Sequence, residues 1–193
     1  MWWIGVVGVA AGVAAGAGTR RVVARLARES PVPAGWCEVA CALGFAAVAV
    51  RNGLVPTLAP ALLFVWWTIA AGVVDLRVRR LPNVLTLPGA VAIVGFATAT
   101  GQWRTAVVGG LMLSGLYLLV HLTAPAAMGA GDVKLALGLG AAAGLGGAQT
   151  WLAAAALAPV LTAVVGVLRG RADGMIAHGP SMCAATALAM WPV

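Results

Sequence analysis

Long apolar runs, separated by short polar segments, fill almost the whole sequence of 193 residues. Only 9% of the residues are charged, and a water-soluble domain needs far more polar surface than this fraction supplies. Each apolar run approaches the roughly 20 residues that a helix needs to cross the hydrocarbon of a membrane. The sequence therefore predicts an all-α, polytopic bundle of membrane helices, in which the many Ala and Gly residues favour close helix packing.

About eight transmembrane helices are predicted from the apolar runs and from the breaks between them. The connections between the spans are short, and the sequence contains no long linker or internal repeat. We therefore interpret residues 1–193 as a single membrane-embedded domain, with two N-terminal helices in 1–50 and the remaining core in 54–192. The predicted spans cover approximately residues 2–18, 34–50, 54–74, 83–100, 105–122, 133–147, 150–168 and 176–192.

The basic residues predict the orientation of these spans. Short cytoplasmic loops carry an excess of Lys and Arg, and with the N-terminus outside only Arg51 and Arg104 lie on the outer side. We therefore expect a protein of the inner (plasma) membrane whose cytoplasmic face contacts anionic lipid headgroups. This distribution accounts for the net charge of +7 without a nucleic-acid partner. The predicted cytoplasmic basic residues are Arg20, Arg21, Arg25, Arg28, Arg77, Arg79, Arg80, Lys134, Arg169 and Arg171.

The three cysteines do not predict a metal site. Cys37 and Cys41 are four residues apart on one helical face, and Cys183 stands alone. No nearby His or further Cys pair completes the ligand set that a zinc site requires. We expect these side chains to pack as small apolar groups, and we expect no metal or organic cofactor.

Two of the five acidic residues, Asp75 and Asp132, are predicted to lie at the cytoplasmic ends of spans. Asp75 ends the third span, and Asp132 precedes the sixth, so the two carboxylates share one depth. When two such groups approach each other, they cannot easily both ionise. The ionised carboxylate can then activate a water that attacks a peptide carbonyl, while the protonated one donates to the developing oxyanion.

The residues beside the two aspartates indicate how such a site is built. Pro82 disfavours the helical conformation at Leu81, and Asn83 is then expected to cap the fourth span. Glycine permits backbone conformations that other residues avoid, and it lets another backbone approach closely. We therefore expect Gly129 and Gly131 to admit the extended backbone of a substrate.

Each aspartate taken alone has a structural alternative. Asp75 would balance the arginines that follow it, and Asp132 would cap the sixth span. Lys134 follows Asp132 by two residues, a spacing that does not face it on a helix. We interpret Lys134 as a topology anchor with a supporting electrostatic role.

The other polar residues of the spans are given structural interpretations first. Glu38 lies near the first turn of the second span, where the helix dipole favours it, with substrate contact or helix pairing as the alternative roles. His121 is predicted to anchor the fifth span at the interface, and His178 to begin the last helix beside Pro180. Asp173 is interpreted as a solvated turn residue.

Two segments together resemble the type IV prepilin peptidases, a family of membrane aspartic peptidases. They are Asp75 through Asn83 and Gly129-Ala130-Gly131-Asp132-Val133-Lys134-Leu135. The resemblance is strongest over 54–135 and extends to 176–180. It implies that Asp75 and Asp132 are the two catalytic aspartates. Larger members also carry an N-terminal methyltransferase region with paired zinc-binding cysteines. This sequence lacks such Cys-x-x-Cys pairs, so the resemblance implies a short, peptidase-only form.

The resemblance also implies a substrate class. Members of the family cut the leader from prepilin or pseudopilin precursors at the cytoplasmic face, after a glycine and before a long hydrophobic helix. Two alternatives remain open. A presenilin or signal-peptide-peptidase type would place its first Asp inside an apolar helix, commonly after Tyr, whereas Val74 precedes Asp75 here. A non-enzymatic carrier or assembly scaffold would use the two carboxylates as an ion relay.

Overall fold

A computed structural model describes residues 2–26, 32–125, 128–169 and 177–191 of the chain. Arg28, Glu29, Arg171, Asp173 and Ile176 lie outside these residues. Within the described ranges the chain forms eight α-helices and no strands, so the predicted all-α class is confirmed. The helices are α1 (Trp2–Leu26), α2 (Trp36–Asn52), α3 (Leu58–Val78), α4 (Asn83–Ala99), α5 (Trp103–Thr123), α6 (Ala130–Leu145), α7 (Ala148–Arg169) and α8 (Gly179–Met190).

Four of these helices, α1, α3, α5 and α7, are long and apolar enough to cross a membrane. Such helices bury little of their surface in the protein, and α7 is the extreme case with 11% of its most apolar window buried. The chain is therefore a membrane protein. That the four shorter helices also cross the bilayer, and that the N-terminus lies outside, stay predictions.

Two helices extend well beyond their predicted ends. α1 continues past residue 18 to Leu26, so the arginines from 20 to 25 are helical and do not lie in a loop. α3 continues past residue 74 to Val78, so Asp75 belongs to the helix. The apolar pattern marks the part of a helix that contacts lipid, whereas Arg is a good helix former and is favoured by the dipole at a C-terminal end. The loss of apolar residues therefore does not end these helices.

The first of two compact units, Met1–Val78, contains α1, α2 and α3. Its most extensive packing joins α1 to α2. A Cβ added to Gly12 of α1 would lie 2.5 Å from the Cα of Ala42 on α2, so only glycine fits this approach of two backbones. Cys37 and Cys41 are fully buried on α2, in keeping with their predicted apolar packing.

Glu38 connects α1 and α2 within this unit. Its Oε1 accepts a hydrogen bond from Nε of Arg20 at 2.8 Å, and its Oε2 accepts one from the backbone N–H of Gly35 at 3.1 Å. The carboxylate thus satisfies a backbone donor at the start of α2 while it pairs two helices. Glu38 thus lies in the first turn of the helix, as the sequence predicts, and its contact with Arg20 also supports the alternative role of helix pairing.

The second compact unit, Arg79–Val193, contains α4 to α8. Its α6 contacts α4, α5, α7 and α8, and the packing of α5 on α6 is the most extensive in the unit. Gly109 of α5 and Gly140 of α6 face each other, because a Cβ on either would lie 2.5 Å from the carbonyl oxygen of the other. The small residues of α6 therefore let it occupy the centre of this unit.

Candidate active site

Asp75 lies on the last turn of α3, in the first unit. Its side chain is only 6% exposed, and Val74 and Ala71 beside it are fully buried. Leu76 and Arg77, the next two residues, are exposed. Asp75 therefore belongs to the packed face of α3 and not to its basic, exposed face.

The backbone turns sharply just after this aspartate. Arg79 follows α3 with a φ of 52°, a left-handed conformation that commonly ends helices but that favours glycine over other residues. Leu81, before Pro82, is outside any helix, as the proline predicts. The helix that carries Asp75 thus ends at a left-handed residue, and a short non-helical segment leads from there to α4.

Asp132 lies in the second unit, in the first turn of α6, and is 8% exposed. Its Oδ2 accepts a hydrogen bond from the backbone N–H of Gly129 at 3.2 Å. Gly129 is the N-cap residue, so Asp132 is not the cap itself but the third helical residue, reaching back to the cap. The N-terminal end of a helix favours a negative charge, so this position supports an ionised carboxylate.

The two glycines do not serve the conformational role expected from the sequence. Gly129 has a φ of −78°, and neither Gly129 nor Gly131 is among the glycines with positive φ, so other residues would tolerate both backbones. Gly131 is needed for a different reason. A Cβ on it would lie 3.0 Å from the Cβ of Leu81 and 3.3 Å from its backbone nitrogen. The backbone that approaches Gly131 is therefore that of Leu81 in this chain.

Asn83 also differs from its predicted role. Pro82 is the N-cap residue of α4, with an extended backbone and no side-chain cap bond, and Asn83 is the first helical residue. The Asn83 Oδ1 instead accepts a hydrogen bond from Nζ of Lys134 at 2.8 Å. Proline already fixes an extended residue before the helix, so no side-chain cap is required. The start of α4 and the start of α6 are thus linked by two residues that the sequence placed at the site.

Two further bonds hold the segment around Asp132. His121, near the end of α5, donates from Nδ1 to the carbonyl oxygen of Met128 at 2.7 Å, because a carbonyl can only accept. Ser114 of α5 donates to the carbonyl oxygen of Val133 at 2.9 Å. His121 was predicted as an interface anchor, and it in fact ties α5 to the approach of α6. Bonds between a side chain of one helix and a carbonyl beyond that helix leave no periodic signal in the sequence.

His178 is a second histidine whose environment the sequence did not predict. It precedes α8 in the N-cap position but makes no side-chain cap bond. Its ring instead contacts Thr162 of α7 and Tyr117 of α5. The sequence offers one signal that was missed, because Tyr117 is the single tyrosine of the chain and interrupts an apolar run.

The second unit therefore brings together most of the residues that the sequence predicted for the site. They are Pro82, Asn83, Gly129, Gly131, Asp132 and Lys134, at the starts of α4 and α6. Asp75 belongs to the first unit, at the end of α3. Each unit thus presents one buried carboxylate at a helix end, and both carboxylates interact with other groups.

Comparison with known protein families identifies the chain. The model of the type IV leader peptidase family matches residues 62–167. This range is more than half of the sequence and includes both Asp75 and Asp132. No curated protein and no solved structure matches the chain. The family match confirms the resemblance drawn from the two aspartate segments. With its apolar helices and this match, the chain belongs to the type IV leader peptidase family and is a membrane protease.

Proposed function

We propose that the protein is an aspartic endopeptidase of the inner membrane that removes the leader of type IV prepilin-like precursors at the cytoplasmic face. The observation that carries the proposal is the state of its two aspartates. Asp75 and Asp132 are both buried carboxylates at helix ends, inside the segment that matches a family of leader peptidases. Burying a carboxylate costs free energy unless the group is paired, and such groups cluster at functional sites. Two of them inside the family-matched segment therefore favour a catalytic pair.

The covalent chain supports a meeting of the two groups. Five residues separate Asp75 from Leu81, three of them helical and two outside the helix, so the tether is at most about 15 Å long. Leu81 in turn approaches Gly131, the residue before Asp132. In our proposal this short tether lets Asp75 reach the second carboxylate.

Opposite helix ends support opposite roles for the two acids. Asp132, in the first turn of α6, accepts the Gly129 N–H, and the dipole favours its negative charge. Asp75, in the last turn of α3, lies where the dipole disfavours one. In our proposal Asp132 takes the proton of the attacking water, while Asp75 donates to the carbonyl oxygen of the scissile bond. The protons then return as the amine leaves, so both groups end as they began.

Neighbouring residues would hold this arrangement. The absence of a side chain on Gly131 lets Leu81 lie against the start of α6. The bond between Lys134 and Asn83 joins the starts of α6 and α4. In this proposal the substrate shares the membrane with the enzyme through its own hydrophobic helix, and the lipid surface concentrates both.

The purified protein in liposomes, mixed with a precursor that carries a leader and a hydrophobic helix, tests the proposal. We expect a single cut at the aqueous boundary, after a glycine and before the hydrophobic helix, identified by the masses of both products. A cut within the apolar helix would instead favour the presenilin-like alternative. Ion flux through the liposomes without any cleavage would favour the carrier and contradict the proposed activity.

A further inference from the structure

His178 connects three helices of the second unit through two hydrogen bonds. Its Nδ1 lies 2.6 Å from Oγ1 of Thr162 on α7, and its Nε2 lies 3.1 Å from the hydroxyl of Tyr117 on α5. The rings of His178 and Tyr117 also lie against each other, with their centroids 5.4 Å apart. Because His178 directly precedes α8, one side chain joins α5, α7 and α8.

The direction of these hydrogen bonds follows from the number of protons that each group can donate. Thr162 has one hydroxyl proton, which it donates to the carbonyl oxygen of Ala158 at 3.0 Å. With that proton assigned to the Ala158 bond, the Thr162 oxygen accepts from Nδ1–H of His178. In a neutral imidazole the other nitrogen is then an acceptor, so Nε2 receives the Tyr117 hydroxyl proton.

The hydrogen bond to His178 determines whether the Tyr117 hydroxyl can donate a proton toward Asp132. Tyr117 is 5% exposed. It lies on the same face of α5 as Ser114 and His121, whose bonds to the carbonyl oxygens of Val133 and Met128 fall on either side of Asp132. Because its one proton is directed at His178, the phenol oxygen presents only lone pairs toward other groups. A hydroxyl that donated to the Asp132 carboxylate would stabilise the ionised form and weaken it as a base.

We propose that His178 is a positioning residue of the peptidase site, which keeps the Tyr117 hydroxyl from donating to Asp132 and so preserves the basicity of that carboxylate. This inference rests on the proposed function, in which Asp132 takes a proton from water. The imidazole acts only through Tyr117 and does not touch the reacting atoms.

A double-mutant cycle on the liposome-reconstituted protein tests this role. His178→Phe cannot accept the proton and frees the Tyr117 hydroxyl, so we expect kcat for precursor cleavage to fall about tenfold with KM little changed. In a Tyr117→Phe background no hydroxyl remains to be redirected, and the same substitution should change kcat less than about twofold. His178→Gln keeps one donor and one acceptor, and it should restore most of the lost rate.

Three results would overturn the inference. One is an equal fall in kcat in both backgrounds, because lost packing would not depend on the Tyr117 hydroxyl. The others are an unchanged kcat in His178→Phe and a His178→Gln variant as slow as His178→Phe. Thermal unfolding identifies any variant that does not fold, and His178→Ala, which frees the same hydroxyl without added volume, then replaces His178→Phe. Absence of cleavage by the parent protein would contradict the proposed function itself, which separates the two failures.

Discussion

Replacing either aspartate by asparagine is expected to abolish precursor cleavage. Asp132→Asn removes the base that takes a proton from water, and Asp75→Asn removes the group that donates to the oxyanion. Each loss should lower kcat by about a thousandfold or more. Asparagine keeps the size of the side chain, so both variants should remain folded in the membrane. Co-expression with a prepilin-like precursor, followed by separation of precursor and product on a gel, measures the effect.

Glu38→Gln is the matched control for these variants. It neutralises a carboxylate of the same chain, but this one is engaged by Arg20 and by the Gly35 N–H at the start of α2. The loss of one exposed ion pair costs little stability, so cleavage should continue near the parent rate. If Asp75→Asn and Asp132→Asn each process the precursor as well as Glu38→Gln does, the proposed mechanism is wrong.

The second large effect is expected at the contact between α5 and α6. A Cβ on Gly140 would lie 2.5 Å from the carbonyl oxygen of Gly109 and 2.6 Å from the Cβ of Leu113. Such overpacking against backbone typically costs about 1–3 kcal/mol even for small additions. We therefore expect Gly140→Ala to lower the thermal midpoint in detergent by several degrees and Gly140→Leu to prevent the folded protein from accumulating.

Gly115 provides the control on α5 itself. A Cβ added there meets nothing within 4 Å, and the residue is exposed. Gly115→Ala should hold or raise the thermal midpoint, since alanine has the higher helix propensity, and Gly115→Leu should still fold. Equal losses at positions 115 and 140 would show that the close approach of α5 and α6 does not limit stability.

Much of the fold could be predicted because apolar runs report directly on helices that contact lipid. All eight predicted spans correspond to helices. The ends could not be predicted in the same way, as α1 shows, because its last turns carry arginines and remain helical. Side-chain polarity governs where a helix leaves the hydrocarbon, whereas capping and backbone geometry govern where it ends.

The site could be predicted only in part, for a related reason. Asp75 and Asp132 stand out because so few acidic residues interrupt an apolar sequence. The partner of Gly131 could not be predicted, because Leu81 lies 50 positions earlier and approaches it only in the fold. The same applies to Asn83, whose bond to Lys134 competes with the capping role that its position suggests. Long-range partners leave no pattern in a single sequence.

The catalytic pair requires the side chains at positions 75 and 132 to lie close together, and cross-linking of thiols placed at these positions measures this directly. In a variant with Cys37, Cys41 and Cys183 replaced by alanine, Asp75→Cys and Asp132→Cys place one thiol at each position. A protease site inserted at Gly101, between α4 and α5, then separates the two thiols onto different fragments. Asp75→Cys combined with Arg104→Cys is the control pair, because Arg104 lies in the first turn of α5, almost a full helix length from the C-terminal end of α5 that precedes Asp132 in the chain.

Treatment of membranes with a short bifunctional thiol reagent, followed by proteolysis, gives the measurement. We expect the fragments of the 75/132 pair to stay joined and those of the 75/104 pair to separate. Fragments that separate equally in both pairs would mean that the two acids do not meet around one water, and would contradict the catalytic pair.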